Sequence, residues 1–154
     1  FSAIQFEVEG ARALDLFAGS GQLGIEALSR GAARAVFVDC RREALDVVRE
    51  NLAKTRLNGR AQVVRMDYMA YLASCRERFD LIFLDPPYAE IFLENALNRI
   101  SQIDILSHRG IIICERPLDN QLPERFGALA LAKTYRYGKT AVSLYRWAPG
   151  SETT

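Results

Sequence analysis

Four consecutive residues, Asp85-Pro86-Pro87-Tyr88, join a carboxylate, two residues without a backbone N–H and an aromatic ring. They follow the apolar run Phe79-Asp80-Leu81-Ile82-Phe83-Leu84, which reads as a buried strand. Such a set suits a flat ring bearing an amino group. The aromatic face stacks on the ring, while the Asp oxygen and an unpaired backbone carbonyl accept its N–H bonds. Two successive prolines also fix the backbone and end sheet pairing, so the same residues would serve as plain strand punctuation. The rest of the chain decides between the two uses.

A second constellation lies near the start. Gly19-Ser20-Gly21-Gln22-Leu23-Gly24 satisfies G-x-G-x-x-G between a short apolar run, Ala13 to Phe17, and a helical pattern over about Gln22–Arg30. Glycines there let the backbone approach a ligand closely, and a dinucleotide fold is one reading. Asp15 argues for another. A carboxylate inside the first strand has little use beside a nicotinamide dinucleotide, whereas S-adenosylmethionine (AdoMet) carries an ammonium group that such an acid can hold. Asp39, closing the second strand, could accept ribose hydroxyls of either ligand. Asp67, closing the third, is placed for the adenine amine or for a helix N-cap, with Tyr68 and Met69 packing on the ring or offering N–H groups. Ligands of open parallel sheets bind beyond the C-terminal strand ends, so these acids and Asp85 are expected to face one crevice.

The elements that must position these residues alternate. Strands are expected at residues 13–17, 35–38, 61–66, 79–84 and 110–115, with helices at 22–30, 41–54, 68–73 and 91–105. Ala44, Val48 and Leu52 form the expected buried stripe of the second helix, and Leu93, Ala96, Leu97 and Ile100 that of the last. Gly31 is placed to end the first helix, and Asn58-Gly59 marks a turn. Residues 128–137 and 140–147 read as strands joined by Gly138-Lys139, a two-residue type II′ loop with Gly first. The order predicts an α/β fold with a parallel sheet and a C-terminal antiparallel hairpin, in one domain over residues 1–148 with a tail at 149–154. Seven strands are expected, as in AdoMet-dependent methyltransferases.

Composition adds limits. The 154 residues carry a formal net charge of +1, which gives no global nucleic-acid signature. Three scattered cysteines, Cys40, Cys75 and Cys114, have neither disulfide nor zinc spacing and read as reduced thiols of a cytoplasmic protein. No metal site is expected. His108 reads as a surface residue, and Arg116, Arg136 and Lys139 as solvated charges near strand ends. Glu115 stands near the site edge without an assigned role. Phe1 to Phe6 resembles the end of an amphipathic helix, so the chain is read as lacking its native N-terminus.

The segment from Leu14 to Ala32, LDLFAGSGQLGIEALSRGA, together with Asp85-Pro86-Pro87-Tyr88, resembles the RsmD family of ribosomal RNA guanine-N2 methyltransferases. The resemblance spans nearly the whole chain, except for an N-terminal Arg-Pro-Thr stretch and basic helix usual in that family. The tetrapeptide alone is shared with adenine-N6 and cytosine-N4 enzymes of DNA and RNA, which remain the alternative together with a non-catalytic RNA-binding module of the same fold. The resemblance implies AdoMet as methyl donor and small-subunit ribosomal RNA or its assembled particle as partner, with a monomer as the default. The catalytic candidates are Asp85, Pro86, Pro87 and Tyr88. The cofactor candidates are Asp15, Phe17, Ala18, Gly19, Ser20, Gly21, Asp39, Cys40, Asp67, Tyr68, Met69 and Asp85.

Overall fold

A computed structural model describes residues 1–86, 89–119 and 121–150. A short 3₁₀ turn and α1 (Gln5–Val8) lead into β1 (Arg12–Asp15), α2 (Gln22–Ser29), β2 (Arg34–Asp39) and α3 (Arg42–Thr55). Then come β3 (Ala61–Arg65), α4 (Tyr68–Ser74), β4 (Phe79–Leu84), α5 (Ala89–Ile100) and β5 (Leu106–Pro117). β6 (Arg125–Phe126), β7 (Leu129–Tyr137) and β8 (Thr140–Trp147) complete one sheet in the order β3-β2-β1-β4-β5-β8-β7-β6. β1 to β5 run parallel, and β8, β7 and β6 are antiparallel additions.

Among the described residues the sheet thus has eight strands rather than the expected seven. The extra one, β6, is two residues long and pairs only with Ala130 and Leu129 of β7, too short to leave a period in the sequence. The last helix stops at Ile100, not Ile105. The Ser101 hydroxyl donates to the Asn98 carbonyl, and buried Ile105 instead leads into β5, whose first residue Leu106 pairs with Phe79. In α3 the buried stripe is Leu45, Val48 and Leu52, with Ala44 turned partly outward. The hairpin follows expectation: Tyr137 pairs with Thr140, Gly138 has φ of 59°, and Lys139 keeps a negative φ, as a type II′ loop requires. Of the expected tail, residues 151–154 lie outside the described residues.

Strand alternation sorts the core into two layers. Leu14, Leu16, Val36, Val38, Ile82 and Leu84 face α4 and α5, whose Leu72, Leu93, Ala96, Leu97 and Ile100 pack on them. Ala13, Ala35, Phe37, Leu81, Phe83 and Ile111 face the other way, onto Val8, Ala27, Leu28, Leu45, Val48 and Leu52 of α1, α2 and α3. A period of two assigns each strand-end residue to one layer. Asp15 therefore shares the face of Ala13. Asp85, two residues past Phe83, and Glu115, four past Ile111, belong to that same face.

Candidate active site

The C-terminal ends of β1, β2, β4 and β5 and the start of α4 surround a cavity of about 830 Å³. Its lining includes Asp15, Phe17, Ala18, Gly19, Ser20, Asp39, Cys40, Asp67, Tyr68, Asp85 and Pro86. The structure therefore brings together all but two of the expected cofactor residues, and both described members of the tetrapeptide. Pro87 and Tyr88 lie outside the described residues.

The glycine loop is held by its own backbone and by two of the acids. Ala18 N–H donates to the Val38 carbonyl at 2.9 Å, tying the loop to β2. Gly21 N–H donates to the Ala18 carbonyl at 2.7 Å. Gly21, with φ of 82°, is the residue that turns the chain into α2, and it is buried. It shapes the loop and stands outside the cavity lining. Gly24 has a packing role: a Cβ there would meet the Phe37 ring at 2.4 Å. Gly19, by contrast, has open space where a Cβ would stand, so its backbone forms the wall of the cavity.

Asp15 is 1% exposed. One carboxyl oxygen accepts the Gly24 N–H at 3.2 Å, and the other, Oδ1, is buried without a hydrogen-bond partner. Burial raises its pKa to about 7; the Gly24 bond opposes that rise, and the charges of Asp85 and Asp39 add to it. A buried carboxyl with one unsatisfied oxygen on a cavity wall is a receptor for a cation or a donor.

Asp39 is in a different state. Its Oδ2 accepts Gly19 N–H at 3.0 Å and Arg41 Nη2 at 3.3 Å, while Oδ1 accepts Arg41 N–H at 2.9 Å and Arg41 Nε at 3.2 Å. Burial alone would raise its pKa, but the Arg41 side chain and the backbone bonds hold it below the usual carboxylate range. Asp67 caps α4, accepting Met69 N–H at 3.0 Å and Ala70 N–H at 3.4 Å with Oδ2. Met69 N–H is therefore not available to a ligand, and Met69 lies off the cavity in a groove with Ala73 and Asn95.

One wall is aromatic. Phe17 and Tyr68 rings lie 4.9 Å apart, and Phe92 meets Tyr68 edge-on at 5.3 Å. Phe92, Arg41, Gln22, Met66 and Glu115 line the cavity without having been expected as contacts. Their signal in the sequence is only adjacency to strand ends or, for Phe92, one apolar helix position among several. Asp85, beyond the end of β4, has its pKa raised to about 6, first by desolvation and then by the nearby Glu115 charge.

The family described as Conserved hypothetical protein 95 matches residues 1–146. A Bacillus subtilis protein, YlbH, described as a candidate rRNA methyltransferase, is 42% identical over 149 residues, spanning 95% of this chain and 81% of its own. Ribosomal RNA small subunit methyltransferase D of Escherichia coli is 35% identical over 136 residues, 88% of this chain and 68% of its own. The solved Escherichia coli structure of yhhF, described as a candidate methyltransferase, superposes with a TM-score of 0.89 at 32% identity, covering 96% of this chain and 83% of that one.

Proposed function

The chain belongs to the family described as Conserved hypothetical protein 95, the RsmD family, and on that premise we propose that it methylates the exocyclic N2 amine of a guanine in small-subunit ribosomal RNA, with AdoMet as donor. The observation that carries the reading is the presence, on one cavity, of the unpartnered buried oxygen of Asp15 and the carboxylate of Asp85. The first suits the cofactor's ammonium, and the second suits an acceptor amine.

The residues present fit the cofactor. Asp15 would hold the ammonium, the Gly19 backbone the adjoining chain, Asp39 the ribose hydroxyls, and the Phe17–Tyr68–Phe92 wall the adenine. When bound, AdoMet supplies an electrophilic methyl group on a sulfonium. The remaining work is positional. The N2 lone pair of guanine is delocalised into the ring, which makes the amine a poor nucleophile. Asp85 and the Pro86 carbonyl would accept its two hydrogens, allowing the nitrogen to pyramidalise and aim its lone pair at the methyl. As the nitrogen became cationic it would give up a proton, which the ionised Asp85 is placed to accept. Tyr88 would stack on the base, contributing about 1–3 kcal/mol against a similar cost of unstacking it.

The same reading makes residues 1–148 one methyltransferase domain, acting as a monomer in the cytoplasm on the ribosomal RNA or its assembled particle. Among the described residues no helix is long and apolar enough to cross a membrane.

The test is labelled methyl transfer to small-subunit particles, naked ribosomal RNA and DNA, with the modified nucleoside identified. Asp85→Ala should lose about a hundredfold to a thousandfold in rate while binding AdoMet as the parent does. The parent rate should rise with pH and level off above about 6, since the ionised Asp85 is the acceptor and its pKa is raised to about 6. Undiminished turnover in the variant, or product on DNA alone, would sink the assignment.

A further inference from the structure

We infer that Glu115 selects guanine over the other amino-bearing bases, by accepting the N1–H that lies beside the N2 amine; the inference rests on the proposed amino-methyl transfer.

The placement follows from strand register. β4 and β5 pair Phe83 with Ile113 and Leu84 with Cys114. One step further, Asp85, just past the end of β4, comes beside Glu115 of β5, on the sheet face shared with Phe83 and Ile113. Neighbouring parallel strands are about 4.8 Å apart, so Glu115 stands beside the residue that follows β4, while β5 itself runs on to Pro117. At that separation the Glu115 charge acts on Asp85 and adds to the rise in its pKa. On its other side Glu115 pairs with Val142 of β8, which pairs with Tyr135 of β7.

A second cavity, of about 160 Å³, opens on this side of Asp85. Its wall is built from apolar side chains, among them Phe83, Ile113, Val142 and Leu144, with Tyr137 at its rim. Leu23, Asp85 and Glu115 line both cavities. The two acids therefore stand at the junction, with the larger space and its unsatisfied Asp15 oxygen on one side and an apolar slot on the other. A flat base edge brought to that junction from the slot meets both carboxylates, while the ligand of the larger cavity lies beyond them.

Base chemistry decides what such an edge must carry. Guanine presents two adjacent donors, the N2 amine and N1–H. Adenine has an acceptor, N1, beside its N6 amine, and cytosine has an acceptor, N3, beside its N4 amine. With Asp85 and the Pro86 carbonyl holding the amine, a second carboxylate gains a charge-assisted bond from guanine N1–H. Against adenine or cytosine the same half-buried carboxylate opposes a lone pair, and an acceptor that the bound base desolvates and leaves unpaired rejects that base. The tetrapeptide thus recognises an amine, and Glu115 reads the atom beside it.

The test uses the full chain loaded with S-adenosylhomocysteine and follows binding of guanosine 5′-monophosphate and 2-aminopurine riboside 5′-monophosphate by NMR. The second nucleotide keeps the amine but has an unprotonated N1. The parent should prefer guanosine by about tenfold or more, the worth of one hydrogen bond to a charged group. Glu115→Gln, which can donate to the unprotonated N1, should erase that preference while leaving AdoMet affinity by calorimetry within about twofold. Its kcat/KM on small-subunit particles should fall in parallel. A parent without the preference, or a Glu115→Gln variant that keeps it, overturns the inference. If the parent discriminates but methylates no ribosomal RNA, the proposed function fails instead, and the two failures are told apart by the binding measurement.

Discussion

Asp15 couples folding to ligand binding through a single proton. Its carboxyl titrates near 7 in the folded chain against 3.8 for the unperturbed group, chiefly because burial penalises the ionised form. The folded state therefore holds the proton more tightly than the unfolded one. This group lowers stability as pH rises from about 4 to about 7, and the loss then stays constant. Three pKa units correspond to about 4 kcal/mol as an upper figure. Asp15→Asn keeps an acceptor for Gly24 N–H and removes the charge, so it should melt several degrees above the parent at pH 8 and together with it near pH 4. It should also bind AdoMet at least about tenfold more weakly, because it can no longer balance the ammonium. Equal melting at both pH values would show that the carboxyl is not desolvated as described. Asp39 makes the contrast: equally acidic in sequence, it is neutralised by Arg41 and Gly19 and held ionised.

The glycine loop and α2 act as one element, and its three glycines have three separate tasks. Gly19 clears space at the cavity, Gly21 supplies a left-handed φ at the helix start, and Gly24 lets α2 lie directly on the Phe37 ring of β2. Gly24 N–H also fixes the orientation of Asp15. A methyl group at Gly24 would stand 2.4 Å from Phe37 Cε2 and 2.7 Å from Cζ, inside a fully buried layer where the ring has little room to retreat. Gly24→Ala should cost about 1–3 kcal/mol in denaturant unfolding and weaken AdoMet binding by displacing the loop. The substitution improves helix propensity, so unchanged or increased stability would show that the helix is not seated as closely as the contact implies.

Across the whole molecule the cavity belongs to no single element. β1, β2, β4, β5, the glycine loop and α4 all contribute to it, and two core layers hold those strand ends in register. A ligand that binds only the assembled site must therefore stabilise the entire fold. At 100 times its dissociation constant AdoMet should add about 2.7 kcal/mol, raising the melting temperature by about 5–10 °C for a chain of this size. Asp85→Ala should keep this shift, and Asp15→Asn, binding at least about tenfold more weakly, should lose about half of it or more. A shift absent from the parent would contradict the fit of the cavity to the cofactor.

What the sequence determined by itself was the periodic and the local. Alternating apolar runs gave the five parallel strands and four helices, the Gly138-Lys139 loop gave the hairpin, and the acids at strand ends gave one crevice. The family segment gave the chemistry. The tertiary structure decided which of those acids are free to act. Asp67 is spent partly on a helix cap, Asp39 is occupied by Arg41, and among the described residues only Asp15 keeps an unsatisfied buried oxygen. It also brought Phe92 and Glu115 to the cavity and put Met69 and Gly21 outside its lining. The physical reason is that burial, hydrogen-bond occupancy and cross-strand register depend on residues far apart in the chain. Glu115 lies thirty positions from Asp85, and only the pairing of β4 with β5 makes them neighbours.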